Sequence, residues 1–235
     1  MNNASVHRAS DFTSLHSRTR AVSLFLTVII IIDVVAVVFD YLQIQLLNHV
    51  QAGEFITEAE AMANDSRQAM IGIIYSIMFV VTAVTFCMWI HRAYKNLPSL
   101  GAEGLKYSPG WAVGGFFVPI LSLFRPYQVT KEIWKASDPA VEVNDGLAWQ
   151  NAEASPIIIL WWVMFLVSSY AGYFLMRASL TAETVGELIT VSKLTLATDI
   201  VDIPAAFLAI ILVRTIGQRQ GQKFKRSADA SIWHK

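Results

Sequence analysis

Four apolar runs, 21–41, 70–90, 157–176 and 194–213, decide most of what this chain can fold into. Each holds about 20 residues, enough to cross a hydrocarbon layer about 30 Å thick at a rise of about 1.5 Å per residue. In lipid, backbone N–H and C=O groups must pair within their own segment. The runs therefore read as helices, although Val and Ile are abundant in them. The charged residues inside them are Asp33, Asp40, Asp199 and Asp202.

Composition agrees with a bilayer. The chain has 235 residues, 54% of them hydrophobic and 15% charged, against about 25% charged in a typical soluble domain. Lys plus Arg balances Asp plus Glu at 18 each, so the chain carries no basic footprint for nucleic acid. A lone cysteine, Cys87, excludes an internal disulfide and any Cys/His metal pattern. The first 20 residues are polar and contain Arg8, Arg18 and Arg20. The run that follows is too long for a secretory signal and lacks a small-residue cleavage site, so it reads as a retained first span.

Aromatic residues suited to membrane interfaces sit near span ends: Trp89, the Trp161-Trp162 pair, Tyr170 and Tyr173. Thr57-Glu58-Ala59-Glu60 has the form of a capping box. It predicts a short outer helix, within 53–65, that leads into the second span. The stretch 111–124 is apolar but short, contains Pro119, and is followed at once by Arg125-Pro126. Pro109 suits a helix start, and Gly110 and Gly114 form a GxxxG spacing that permits close backbone approach. A segment of this kind is either re-entrant, lining a site, or interfacial, with apolar groups inward and Arg125, Lys131 and Lys135 toward anionic headgroups.

Charge counting favours a segment that does not cross. The N-terminal tail, 90–156 and 214–235 then lie on the inner side with 3, 6 and 6 Lys/Arg, leaving Arg67, Arg177 and Lys193 outside. A crossing segment would leave 8 inside and 10 outside, against the positive-inside rule. The expected architecture is an all-α integral-membrane helical bundle. It has four transmembrane helices and a Pro-broken re-entrant or interfacial segment over 109–137. A cytoplasmic tail (1–20) precedes the membrane domain (21–217), and a basic cytoplasmic tail (218–235) follows it. The expected location is a bacterial inner membrane, with both termini cytoplasmic.

The middle of the chain reads His91-Arg92-Ala93-Tyr94-Lys95-Asn96-Leu97, then Ser108-Pro109-Gly110-Trp111-Ala112-Val113-Gly114, then Arg125-Pro126-Tyr127-Gln128 and Glu132-Ile133-Trp134-Lys135-Ala136-Ser137-Asp138-Pro139. These blocks resemble the bacterial membrane family catalogued as domain of unknown function 4328. The Ala63-Asn64-Asp65-x-Arg67 stretch, the Trp161-Trp162 pair and the Asp199…Asp202 helix extend the likeness over about residues 15 to 220. The resemblance implies a polytopic membrane protein and carries over no activity, ligand or catalytic residue.

The aspartates form the candidate intramembrane polar site. Asp33 and Asp40 are seven residues apart and share a helix face, as do Asp199 and Asp202, three apart. Helix rise puts Asp33 and Asp202 at matched depths, each about 12 Å from the outer edge of the hydrocarbon. An unpaired charge there costs at least about 2.5–3.5 kcal/mol, which a shared proton or a bound cation relieves. Polar glue between helices is the competing reading. His91, Arg92, Trp111 and Arg125 form a second candidate site, on the inner face. No GxSxG, HExxH, Walker loop or dinucleotide fingerprint occurs, so no catalytic residue, metal ligand or cofactor is expected. Two functions rank level: a small ion- or proton-linked transport protein, and a non-catalytic membrane scaffold subunit. An intramembrane lipid-modifying enzyme is the alternative. The expected partners are the bilayer, its anionic inner headgroups, and a membrane-protein partner or a second copy of the chain.

Overall fold

The computed structural model describes residues 11–142 and 145–233, with side chains through Asp229. Arg8 in the N-terminal tail and the last two residues of the C-terminal tail lie outside this range. The described residues are helical, with no strand. Helices α1 (His16–Gln51), α2 (Glu58–Lys95), α5 (Pro156–Thr181) and α6 (Val185–Trp233) are each long and apolar enough to cross a membrane. Between α2 and α5 lie two short helices, α3 (Pro109–Gly114) and α4 (Arg125–Ala136), with 3-10 turns at Pro98–Leu100, Leu121–Leu123 and Ala148–Asn151.

Three of the long helices run well past the apolar stretches that announce them, because helix propensity continues where hydropathy stops. Helix α2 begins in the first loop, as the capping box requires. Glu60 N–H donates to Thr57 Oγ1 at 3.2 Å, and Thr57 N–H donates to Glu60 Oε2 at 2.8 Å. A second box opens α6, where Thr184 N–H donates to Glu187 Oε2 at 3.0 Å and Glu187 N–H donates to Thr184 Oγ1 at 3.3 Å. Helix α1 ends in a Schellman arrangement on Gly53, whose φ of 77° favours glycine. Glu54 N–H closes on His49 O at 3.0 Å, and Gly53 N–H on Val50 O at 3.1 Å.

The chain divides into two compact units. The first comprises residues 1–24, 83–162 and 209–235. Its apolar core is closed: Trp89, Ile90, Ala93, Leu97, Leu100, Val129, Ile133, Ile158, Leu212, Val213 and Ile216 are fully buried. An aromatic cluster joins the ends of α2 and α5 to the broken segment. Phe116 lies 6.1 Å from Phe86 and 6.3 Å from Trp162, ring centre to ring centre, and Trp162 Nε1 donates to Leu123 O at 3.0 Å. The segment thus breaks as its prolines dictate. Ser108 caps α3 by accepting from Trp111 N at 3.3 Å, with Pro109 in the first turn. Pro126 takes the first turn of α4.

The GxxxG spacing does not seat a neighbouring helix. A Cβ on Gly110 would meet nothing within 4 Å, and one on Gly114 only the Trp111 ring at 3.5 Å. The close approach falls one residue later, where a Cβ on Gly115 would come within 2.4 Å of Arg125 Cγ. The reason is geometric: α3 is six residues long, too short to present a ridge to another helix.

The second unit, residues 25–82 and 163–208, contains parts of all four long helices. Its outward residues are apolar. Ile31, Val38, Ile73, Ile77, Val80, Val167, Phe174 and Phe207 are each more than half exposed. A soluble protein seldom leaves so much apolar surface uncovered, whereas the lipid chains of a bilayer would satisfy it.

Candidate intramembrane carboxylate site

All four intramembrane aspartates fall within the second unit. Helix α1 carries Asp33 and Asp40, and α6 carries Asp199 and Asp202. Asp33 is fully buried, and neither of its carboxylate oxygens has a hydrogen-bond partner. It lies within electrostatic reach of Asp202. Asp40 is also buried and faces Asp199. Gln68 Nε2 of α2 donates to Asp40 Oδ1 at 3.3 Å, and Asp40 Oδ2 has no partner. The spacing of seven on one helix and three on the other therefore produces two facing pairs.

Besides Gln68, sequence reasoning missed two further members. Tyr75 on α2 is half-buried and lies against Asp202, with Asp33 and Asp199 also in reach. Ser168 on α5 is next to Asp202. Its Oγ is near enough to act on that carboxyl but outside hydrogen-bond geometry, and it has no other partner. Each of the four helices thus supplies at least one polar group. No local sequence signal marks either hydroxyl.

Pro204 lies inside α6, two residues beyond Asp202. It has no N–H to give the carbonyl four residues back, so the Ile200 oxygen lacks its ordinary helical donor. None of the four aspartates is ion-paired among the described residues. No group of three or more His, Cys, Asp or Glu side chains there is arranged to hold a metal ion.

Beside this cluster, α5 and α6 border a cavity of about 360 Å³. Its walls are mainly Ala, Val, Leu and Phe, and its two hydroxyl residues are Ser168 and Thr198.

The inner-face candidates belong to the first unit and do not form one site. His91 is exposed. Arg92 donates to Asp11 O at 2.7 Å and to Thr13 Oγ1, so it holds the segment preceding α1. Trp111 is exposed, and Arg125 stacks over the Tyr107 ring at 4.5 Å. Trp111 and Arg125 both border Gly115, but no hydrogen bond, ion pair or ring contact joins either to His91 or Arg92 among the described residues.

The first unit holds instead a buried polar hub that the sequence did not announce. Gln220 is fully buried. Its Nε2 donates to Ala93 O at 2.9 Å and Ser137 Oγ at 3.1 Å, and its Oε1 accepts from Asn96 Nδ2 at 3.0 Å. Lys223 Nζ donates to Ala136 O at 3.0 Å. Arg219 pairs with Asp138 and lies over the Trp134 ring at 4.4 Å. Glu132 accepts from Lys106 N at 2.8 Å, next to Tyr94. Burial pushes its carboxyl above the usual range, partly offset by the Lys106 N–H, Tyr94 and the Lys106 charge. These bonds join distant stretches of the unit.

No curated protein and no solved structure matches the chain. Residues 52–218, well over half of the sequence, match the family described as Domain of unknown function (DUF4328), and the chain belongs to that family.

Proposed function

We propose that the protein is a multi-pass cell-membrane protein that binds and exchanges protons or monovalent cations at the Asp33–Asp202 and Asp40–Asp199 pairs. The observation that carries this reading is Asp33, a fully buried carboxyl with both oxygens unpartnered and a second carboxyl in reach. Helix glue would use those oxygens for hydrogen bonds across helices; at Asp33 they are left over. An unpaired carboxylate in hydrocarbon costs at least about 2.5–3.5 kcal/mol, and a proton or small cation removes that cost.

In the same reading both termini and the segment 90–156 are cytoplasmic, by the distribution of Lys and Arg. Phe117 and Ile120, 72% and 74% exposed at the tip of the broken segment, dip into the inner leaflet. Lys95 and Lys131 lie toward anionic headgroups.

The test is infrared difference spectroscopy of the purified chain in lipid, with proton flux followed in vesicles. Exchange predicts a protonated-carboxyl band that responds to pH or to added Na⁺ and disappears in Asp33→Asn, with flux lost in the same variant. A wild-type sample with neither band nor flux, or an Asp33→Asn variant equal to wild type in both, leaves the scaffold reading in its place.

A further inference from the structure

The cavity between α5 and α6 is unexplained by proton or cation exchange alone, and its position gives it a chemical identity. Ala171, Ala178 and Ala197 make the space, where larger side chains would close it. Val167, Phe174 and Leu194 form part of its wall and are themselves more than half exposed, so the cavity opens sideways to the surrounding hydrocarbon. Ser168 is at once a cavity-lining residue and a neighbour of the Asp202 carboxyl, and its hydroxyl is unpartnered. Thr198 lines the same wall one helical turn before Asp202, on the same face of α6. Its hydroxyl is already committed to Leu194 O at 2.9 Å.

Beyond Ser168 the charge is entirely of one sign. The groups facing Asp202 and Asp33 are Asp199 and Asp202 from α6, Asp33 from α1 and Tyr75 from α2. No Lys, Arg or His is among them. Asp33 stands behind Asp202 as a fully buried acid with nothing bonded to it.

We propose that this cavity and the Asp202–Asp33 pair together form a binding site for a lipophilic organic cation that enters from the bilayer. The apolar part of such an ion fills the alanine-walled space, and its positive centre is drawn through Ser168 toward Asp202. The Tyr75 hydroxyl lies against the same carboxyl. An acyl chain would fit the apolar wall but would leave the acids unanswered; a hydrophilic cation would answer the acids but not the wall. The inference rests on the exchange reading and names a substrate class for it: one lipophilic monocation enters as one proton leaves, so charge is conserved.

Equilibrium binding of tetraphenylphosphonium to the full chain in lipid nanodiscs tests the proposal. The expected result is saturable binding that weakens as pH falls, with one proton released per ion bound. Asp202→Asn should weaken it about tenfold or more, the loss expected when one partner of a desolvated charge pair is removed. Ala197→Phe should block binding while leaving the Asp33-dependent carboxyl band intact. Tetraphenylborate, an anion of similar shape assayed separately because the two ions pair when mixed, should show no saturable binding. This comparison needs no variant and survives a variant that fails to fold. Equal binding of tetraphenylborate, or an affinity unchanged in Asp202→Asn, overturns the inference in favour of an apolar groove for lipid chains. An unbound tetraphenylphosphonium ion in a sample that still shows the Asp33 band overturns it while leaving proton or cation exchange standing.

Discussion

Asn96 Nδ2 donates to Gln220 Oε1 at 3.0 Å, and both side chains are fully buried. The bond spans 124 residues of sequence and joins the end of α2 to α6. Asn96 also donates to Thr13 O at 2.8 Å, and its Oδ1 accepts from Thr13 N at 3.2 Å. One amide pair therefore ties three distant stretches of the first unit.

Truncating that hub should be costly. Gln220→Ala leaves Asn96, the Ala93 carbonyl and the Ser137 hydroxyl each short of a partner in a place water does not reach. One unsatisfied buried group costs about 1–3 kcal/mol, so a stability loss of at least that size is expected, read as a lower unfolding midpoint of the purified chain. Gln218→Ala, on the exposed face of the same helix, should leave the midpoint in place. Equal midpoints for the two variants would show that the hub carries no stability.

Gly115 should tolerate no side chain. A Cβ there would meet Arg125 at both Cγ and Cβ, at 2.4 and 3.0 Å. The guanidinium would then be pushed off the Tyr107 ring, on which it rests at 4.5 Å. Overpacking of this kind costs about 1–3 kcal/mol. Gly115→Ala should lower thermal stability, whereas Gly110→Ala, which meets open space, should not. A Gly110→Ala loss matching that of Gly115→Ala would restore the GxxxG reading of this segment.

Glu132 makes the stability of the first unit depend on pH in a defined direction. Its carboxyl is raised above the ordinary value of 4.5 by burial, so the fold favours the neutral acid more than the unfolded chain does. Its contribution is fully present below that ordinary value and is lost as pH rises through the folded-state value. The unfolding midpoint should fall over that interval, and Glu132→Gln should flatten the fall. A slope identical in Glu132→Gln would assign the effect to other groups.

The proposed topology is open to direct labelling. Reporter fusions after Lys135 and after Lys235 should both read cytoplasmic. In a Cys87→Ala background, Glu58→Cys should react with an impermeant thiol reagent applied from outside, since Glu58 opens α2 in the first loop. Protection of that cysteine until lysis, or a fusion reading non-cytoplasmic, would invert or break the arrangement.

What could be read from the sequence follows from how harshly lipid treats polar groups. The four long helices were legible because hydrocarbon leaves the backbone few alternatives, and the aspartates were conspicuous because a charge in such a run is expensive. The Thr57–Glu60 cap was legible because its chemistry is local. Tyr75 and Ser168 were not, since hydroxyls are common in membrane helices and nothing local marks those that face a carboxyl. Gln220 and Asn96 were hidden for a related reason. Polar residues near helix ends ordinarily meet water, and only tertiary packing buries these two. The GxxxG reading failed because spacing alone says nothing of whether a partner backbone is within reach.

The first unit is assembled from three pieces of chain, and its closing bonds come from Gln220 and Lys223 on the last of them. During synthesis, α1, α2 and α5 leave the ribosome before residue 220 exists. The carbonyls of Ala93 and Ala136 must therefore wait for their side-chain partners until the last helix is made. Completion of this unit is thus tied to translation of its final helix. A chain released before that point would carry open acceptors and bare core residues such as Ile133, which cellular quality control can recognise.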